Sequence, residues 1–152
     1  MSRSMATLEA SWSPFNQLDP GPLIDIVISA TDETVKAGRA LGWEYPEPHA
    51  IKALLDTGSP FTIVNRIYAR NRMLPMTNAG TPIKTIGGTH LCDEHSCSIG
   101  FPGSNLPRIG TIRIPAGDFN REPFHACIVG RDVLKHWVVK FDGRGGRVTI
   151  TG

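Results

Sequence analysis

Asp56 follows three apolar residues, Ala53-Leu54-Leu55, and is followed at once by Thr57, Gly58 and Ser59. The apolar run reads as a buried strand that delivers a carboxylate to its end. Glycine allows a backbone turn that a side chain would obstruct, and the two hydroxyls can donate or accept hydrogen bonds beside the acid. After Pro60, the run Phe61-Thr62-Ile63-Val64 is again β-branched and aromatic, so the acid sits at a tight turn between two strands. A carboxylate so placed is a candidate for a catalytic role. The same four residues also make an ordinary β-turn, which Asp and Gly favour.

A second group of reactive side chains competes with it. His90, Cys92, His95 and Cys97 lie within eight positions, with His125 and Cys127 further on. Their spacing matches no standard zinc module, and alternation along a strand would divide them between two faces. A Cys127–His125 nucleophile pair has the same difficulty and no orienting third group. These are read as strand residues, with no metal and no cofactor expected.

The elements that must hold Asp56 are mostly strands. Twelve prolines and sixteen glycines imply many turns and few long helices. Leu23 to Ser29 places Ile24, Ile26 and Ile28 on one face of a first core strand, with Asp25 on the other. Thr31-Asp32-Glu33 starts a short helix that Gly42 can stop, and His49 to Leu55 is the strand leading into Asp56. Asn65 caps a helical segment through Met73, which Pro75 ends. Pro82 to Leu91 reads as a hairpin around a Gly87-Gly88 tip. Cys92 to Phe101 pairs with Arg108 to Pro115 across the Pro102 to Asn105 turn. Phe124 to Val129 is a short strand running into Gly130-Arg131-Asp132, Val133 to Trp137 makes one or two helical turns, and Val138 to Phe141 with Arg147 to Ile150 closes the chain as a hairpin.

The 152 residues and 16.5 kDa suit one domain, residues 23–152, preceded by an arm, residues 1–22, expected to be extended and solvent-exposed. Trp12 and Phe15 give that arm something to pack with. Sixteen basic and fourteen acidic residues leave a net charge of +2, too balanced for a nucleic-acid surface. No apolar run approaches the roughly 20 residues that span a bilayer. Three cysteines and no apolar secretory core in Met1 to Ala10 make a reducing cytoplasm the expected location.

Three features occur in order: the strand ending in Asp56-Thr57-Gly58-Ser59, the Thr85-Ile86-Gly87-Gly88-Thr89 hairpin tip, and Ile128-Val129-Gly130-Arg131-Asp132-Val133-Leu134. Together they resemble the retropepsin-like aspartic proteases, including soluble bacterial members, over roughly Leu23 to Ile150. The resemblance implies a mainly β, closed, barrel-like acid-protease subunit with short helices and a flap hairpin. It also implies catalysis by two copies of the Asp-Thr-Gly turn, whereas Asp-Thr-Gly occurs once here. The active form would then be a homodimer, with Asp56 facing its symmetry mate and a polypeptide as substrate. Two ionised carboxylates ~3 Å apart at an effective dielectric of about 20 repel by roughly 5 kcal/mol, so the pair retains one proton.

On the same resemblance, Thr57 bonds across the dimer axis, Gly58 permits close approach of the two loops, and Ser59 completes the turn. Ile86, Gly87 and Gly88 form the flap tip over an extended peptide. Gly130, Arg131 and Asp132 brace the active-site loop from behind. In retroviral relatives the arginine pairs with an aspartate just after the turn, but that place is Pro60 here, so Arg131 needs another partner. The alternative to an enzyme is a catalytically silent retropepsin-like dimerisation or peptide-binding module. Autocatalytic removal of the arm is a third reading.

Overall fold

In the computed structural model, residues 5–16, 18–85, 87–118 and 126–152 are described. The order is β1 (Thr7–Ser11), β2 (Leu23–Ser29), α1 (Asp32–Ala40), β3 (Ile51–Leu55), β4 (Ile63–Asn65), α2 (Arg66–Asn71), β5 (Met76–Thr85), β6 (Gly88–Gly100), β7 (Ile109–Gly117), β8 (Cys127–Val129), α3 (Arg131–Leu134), β9 (Val138–Asp142) and β10 (Arg147–Thr151). Among the described residues, no helix is long and apolar enough to cross a membrane.

Seven strands form one sheet in the order β2-β3-β8-β4-β7-β6-β5, and a further β2–β6 pairing brings the sheet back onto itself. The closing rungs are Val27↔Gly100, Ile28↔Ile99 and Ser29↔Ser98. This pairing gives a partner to the half of β2 that β3 leaves unpaired, and the barrel is mainly β, as the turn-rich composition implies. Inside it, Ile24, Ile26 and Ile28 of β2 are buried with Ile99, Ile114, Ala53 and Val129. Asp25, on the opposite face of β2, pairs with Lys52 at 2.7 Å in solvent. The period-two alternation of the first strand therefore sorts its side chains as the pleat requires.

Helix boundaries follow local chemistry. Thr31 caps α1 by accepting from the Thr34 N–H at 3.2 Å, and Gly42 leaves it at φ +83°, a conformation that favours glycine. Asn65 caps α2 by accepting from the N–H groups of Ile67 and Tyr68 at 2.9 and 3.3 Å. That helix ends before the expected position. Met73 adopts φ +54°, and the N–H groups of Met73 and Leu74 turn back to the carbonyls of Arg70 and Ala69. A left-handed residue thus stops the helix two positions ahead of Pro75.

Part of the N-terminal arm packs against the body. Thr7–Ser11 is a strand, antiparallel to β10 from Thr7↔Thr151 to Ser11↔Arg147, in a second sheet ordered β1-β10-β9. Ala10 is buried, and Trp12 stacks on Phe141 at 5.0 Å between ring centroids. Alternation over five residues was too short, and too polar at Thr7, Glu9 and Ser11, to stand out without its partner strand.

Candidate active site

The Asp56 turn is built by inserting one strand between two others. β3 runs parallel to β8, with Leu55 opposite Val129, and β8 runs antiparallel to β4, with Ile63 opposite Ile128. The chain therefore leaves β3 at Asp56, loops around the end of β8, and returns as β4 on its far side. The Asp56 N–H continues the ladder by donating to the Val129 carbonyl at 3.0 Å. Asp56 is fixed at the rim by the last rung of a buried strand pair.

Within the turn, Asp56 Oδ1 accepts from the Gly58 N–H at 2.8 Å, and the Ser59 N–H donates to the Asp56 carbonyl at 3.1 Å. The first contact orients the carboxylate. A side chain on Gly58 would put a Cβ 3.1 Å from the same oxygen, so glycine keeps that approach open. Ser59 donates its hydroxyl to the Phe61 carbonyl at 2.6 Å, closing the turn from within. Thr57 is exposed, and among the described residues its hydroxyl bonds to nothing in its own chain. Asp56 itself is half-buried, with Oδ2 free of protein donors among the described residues.

Behind the turn, Gly130, Arg131 and Asp132 each take a separate task. Gly130 is packed so closely that a Cβ would lie 2.4 Å from the Phe61 carbonyl oxygen and 2.8 Å from that of Ser59. Its φ of −99° is open to any residue, so space is the reason for glycine here. The Arg131 N–H donates to the Ser59 carbonyl at 2.9 Å, and its Nη1 donates to the Thr57 carbonyl at 2.8 Å. Asp132 Oδ1 accepts from the Thr62 N–H at 2.9 Å, the Thr62 hydroxyl at 2.7 Å and the Val133 N–H at 2.9 Å.

Thr62 was not singled out from the sequence, yet it is the centre of this brace. It is fully buried, gives both of its donors to Asp132, and accepts from the Gly130 N–H at 3.1 Å. A threonine in a β-branched run looks like any strand residue. The usable signal was the hydroxyl itself, since a buried polar atom must find a partner.

The hairpin is formed by β5 and β6, paired from Ile83↔His90 to Thr85↔Gly88. Gly87 and Gly88 lie exposed at its tip, Gly88 at φ +118°, and Thr85 Oγ1 donates to the Gly88 carbonyl at 3.1 Å. Ile86 lies outside the described residues. The hairpin base is tied down by Arg66, overlooked in the sequence, whose Nη2 donates to the Leu91 carbonyl at 3.1 Å. The Arg66 Nε is 3.7 Å from Asp118 and 3.9 Å from Asp93.

A cavity of about 330 Å³ separates the hairpin from the strands that flank the Asp56 turn. Ile83, Thr85, His90 and Leu91 line it from the hairpin, and Ile63 and Ile128 from β4 and β8. Its mostly apolar wall suits a side chain of a bound chain more than a charged group. A larger cavity, of about 710 Å³, touches no residue of the Asp56 turn.

The competing cysteine and histidine residues are dispersed. His90 is exposed on the hairpin, whereas Cys92 and Cys97 are buried farther along β6. His95 is buried with Nδ1 against the Leu74 carbonyl at 3.0 Å. Cys127 is buried in β8, and His125 lies outside the described residues. Among the described residues, no three His, Cys, Asp or Glu side chains converge as a metal site would need. Burial pushes the Cys97 thiol up to about 12 and raises Cys127 and Cys92 as well, opposite to the shift that a nucleophilic thiolate needs.

No family model matches the chain, and no curated protein matches it. Solved structures do. The EIAV protease complexed with the inhibitor HBY-793 aligns with a TM-score of 0.52 and 21% identity, over 80% of this chain and 92% of that one. A retropepsin-like aspartic protease from Rickettsia conorii aligns with a TM-score of 0.56 and 12% identity, over 99% of this chain and 96% of that one. The backbone architecture is what these proteins share at such identities. The inserted strand β8, the closed barrel and the near-complete coverage agree: this chain has the retropepsin-like fold of aspartic proteases.

Proposed function

We propose that the protein is an aspartic endopeptidase, active as a homodimer in which Asp56 of each chain forms one half of a shared dyad. The observation that carries the reading is the Asp56 turn: a half-buried carboxylate, oriented by the Gly58 N–H at 2.8 Å, at the end of a core strand in a retropepsin-like barrel. One carboxylate cannot be both base and acid in the same step. Two facing each other at close range retain one proton between them.

In the proposed cycle the ionised Asp56 takes a proton from a water held between the pair, and the oxygen attacks the scissile carbonyl carbon. The protonated Asp56 of the partner donates to the carbonyl oxygen, giving a neutral tetrahedral diol. The first Asp56 then gives its proton to the amide nitrogen while the partner's ionised Asp56 takes one from a diol hydroxyl, so the C–N bond breaks, the carbonyl re-forms and the dyad again holds one proton. Thr57, exposed on the turn, is available to a second copy, and the brace behind it keeps the two turns from splaying. Ile86, Gly87 and Gly88 close over an extended polypeptide and exclude bulk water, while the cavity beside the hairpin receives an apolar substrate side chain. An extended substrate pairs by its backbone and is selected by alternating side chains.

The test is an acidic digest of a diverse peptide library by wild type and Asp56→Asn, with sedimentation of both. The expected result is cleavage by a dimeric wild type and none by a dimeric, folded Asp56→Asn. Undiminished cleavage by the variant, or a wild type that stays monomeric and inert, overturns the reading.

A further inference from the structure

The 710 Å³ cavity opens between α1, the segment from Tyr45 to Pro48, and the end of α2 at Arg72. Its volume lies inside the range of about 300–1,000 Å³ typical of small-molecule sites. Four basic residues, Lys36, Arg39, Arg72 and Arg108, line it against two acidic ones, Asp32 and Glu47. Arg108 and Asp32 neutralise each other, with Nη1 3.2 Å from both carboxylate oxygens. The remaining balance is positive.

Arg72 is the unusual member. It is only 6% exposed. Its Nη2 donates to the Glu47 carbonyl at 2.6 Å and its Nη1 to His49 Nδ1, both uncharged acceptors. Among the described residues no carboxylate lies within 4.0 Å of it. A buried guanidinium normally has a counter-charge, because desolvation without one is costly. Here the protein fixes the fork in place with neutral groups and leaves its charge unspent at a cavity wall. Lys36 and Arg39, three residues apart on α1 and therefore on one helix face, line the same space as exposed cations without ion pairs among the described residues. The Tyr45 hydroxyl is committed to the Thr34 carbonyl at 3.1 Å, so its ring serves as wall.

We propose that this cavity is a binding site for a small anion bearing phosphate or carboxylate groups, anchored by the Arg72 fork and closed over by Lys36 and Arg39. A planar fork held by its own bonds matches an oxyanion with little ordering to complete. The site is separate from the Asp56 turn, and binding at it does not depend on proteolytic activity.

Full-length protein titrated with pyrophosphate and with citrate, each against sodium chloride at matched ionic strength, tests this by amide chemical shifts and thermal unfolding. The expected result is saturable shifts at Val27, Ser29 and Val35 with a rise in Tm. Binding should weaken at least tenfold in Lys36→Ala/Arg39→Ala and in Arg72→Lys, and stay unchanged in Asp56→Asn. A response to pyrophosphate alone makes the ligand a phosphate, and to citrate alone a polycarboxylate; either supports the site. No response beyond sodium chloride, shifts elsewhere, or wild-type binding by the exposed double variant overturns it, and the last does not depend on whether the Arg72 variant folds.

Discussion

Arg131 donates from Nη1 to the carbonyl oxygen of Thr57 at 2.8 Å, across 74 positions of sequence. With Pro60 after the turn in place of an acid, the guanidinium reaches the backbone of the Asp56 turn directly. The Arg131 N–H holds the Ser59 carbonyl of the same turn at 2.9 Å. Arg131→Ala keeps the second bond and loses the first. A charge-assisted hydrogen bond contributes about 1.5–3 kcal/mol, and an exposed one sits at the low end. Under the proposed homodimer, the expected outcome is a stability loss of about 1.5 kcal/mol with a disproportionate fall in dimer affinity and turnover, because the Thr57 carbonyl would position the part of the turn offered to a second copy. Urea unfolding, sedimentation and peptide cleavage read the three effects. Unaltered dimerisation would assign Arg131 to local stability alone.

Gly130 should not tolerate alanine. A Cβ there meets the Phe61 carbonyl oxygen at 2.4 Å, and both neighbours are backbone atoms that cannot swing aside. The strand β8 and the return to β4 must separate to admit it. Overpacking of a tight contact costs about 1–3 kcal/mol, and here it also displaces the turn carrying Asp56. Gly130→Ala is expected to lose stability in that range in urea unfolding, while Gly110→Ala, with open space around its Cβ, should change it little.

The Asp132–Thr62 pair separates acceptor geometry from charge. Asp132 Oδ1 takes three donors, two from the buried Thr62. Asp132→Asn keeps an acceptor oxygen, whereas Asp132→Ala leaves a buried N–H and hydroxyl unpaired at about 1–3 kcal/mol for such a group. The expected order of stability is wild type, then Asn close behind, then Ala well below. Equal losses for Asn and Ala would mean that the negative charge matters more than the hydrogen bonds.

Local rules carried much of this architecture. The alternation of Ile24, Ile26 and Ile28, the Asn65 cap and the Gly-Gly hairpin tip act within a few residues, so one stretch of sequence contains all the information they need. The Asp56 turn was legible because its residue types are tied to a specific backbone. What stayed hidden depends on distant partners. Arg131 needed a partner other than the acid that Pro60 displaces and found a carbonyl, which every residue carries and no residue type announces. Thr62 became a keystone only when β8 was inserted beside β4. The first strand, Thr7–Ser11, acquires its identity from β10 at the other end of the chain. The cation-lined cavity depends on Lys36, Arg39 and Arg72 meeting across two helices.

The buried thiols give the fold an alkaline limit. Burial pushes Cys97 from an ordinary value of 9.0 up to about 12, raises Cys127 still further, and moves the Tyr68 phenol from 10.0 to about 12. Between pH 9 and 12 the unfolded chain releases protons from Cys97 that the folded chain keeps, so the folded state binds more protons and stability falls as pH rises. Their contribution is fully present below pH 9, where both states hold the thiol proton. Each such group steepens the decline by about 1.4 kcal/mol per pH unit. Urea unfolding at successive pH values should show a plateau through neutrality and a descent beginning near pH 9, with Cys97→Ala lowering the plateau but shallowing the descent. Native protein at pH 8 should alkylate slowly at Cys97 and Cys127 and rapidly once unfolded. A stability curve that stays flat to pH 10.5, or prompt native-state alkylation of Cys127, would contradict the burial that closes the barrel around β8.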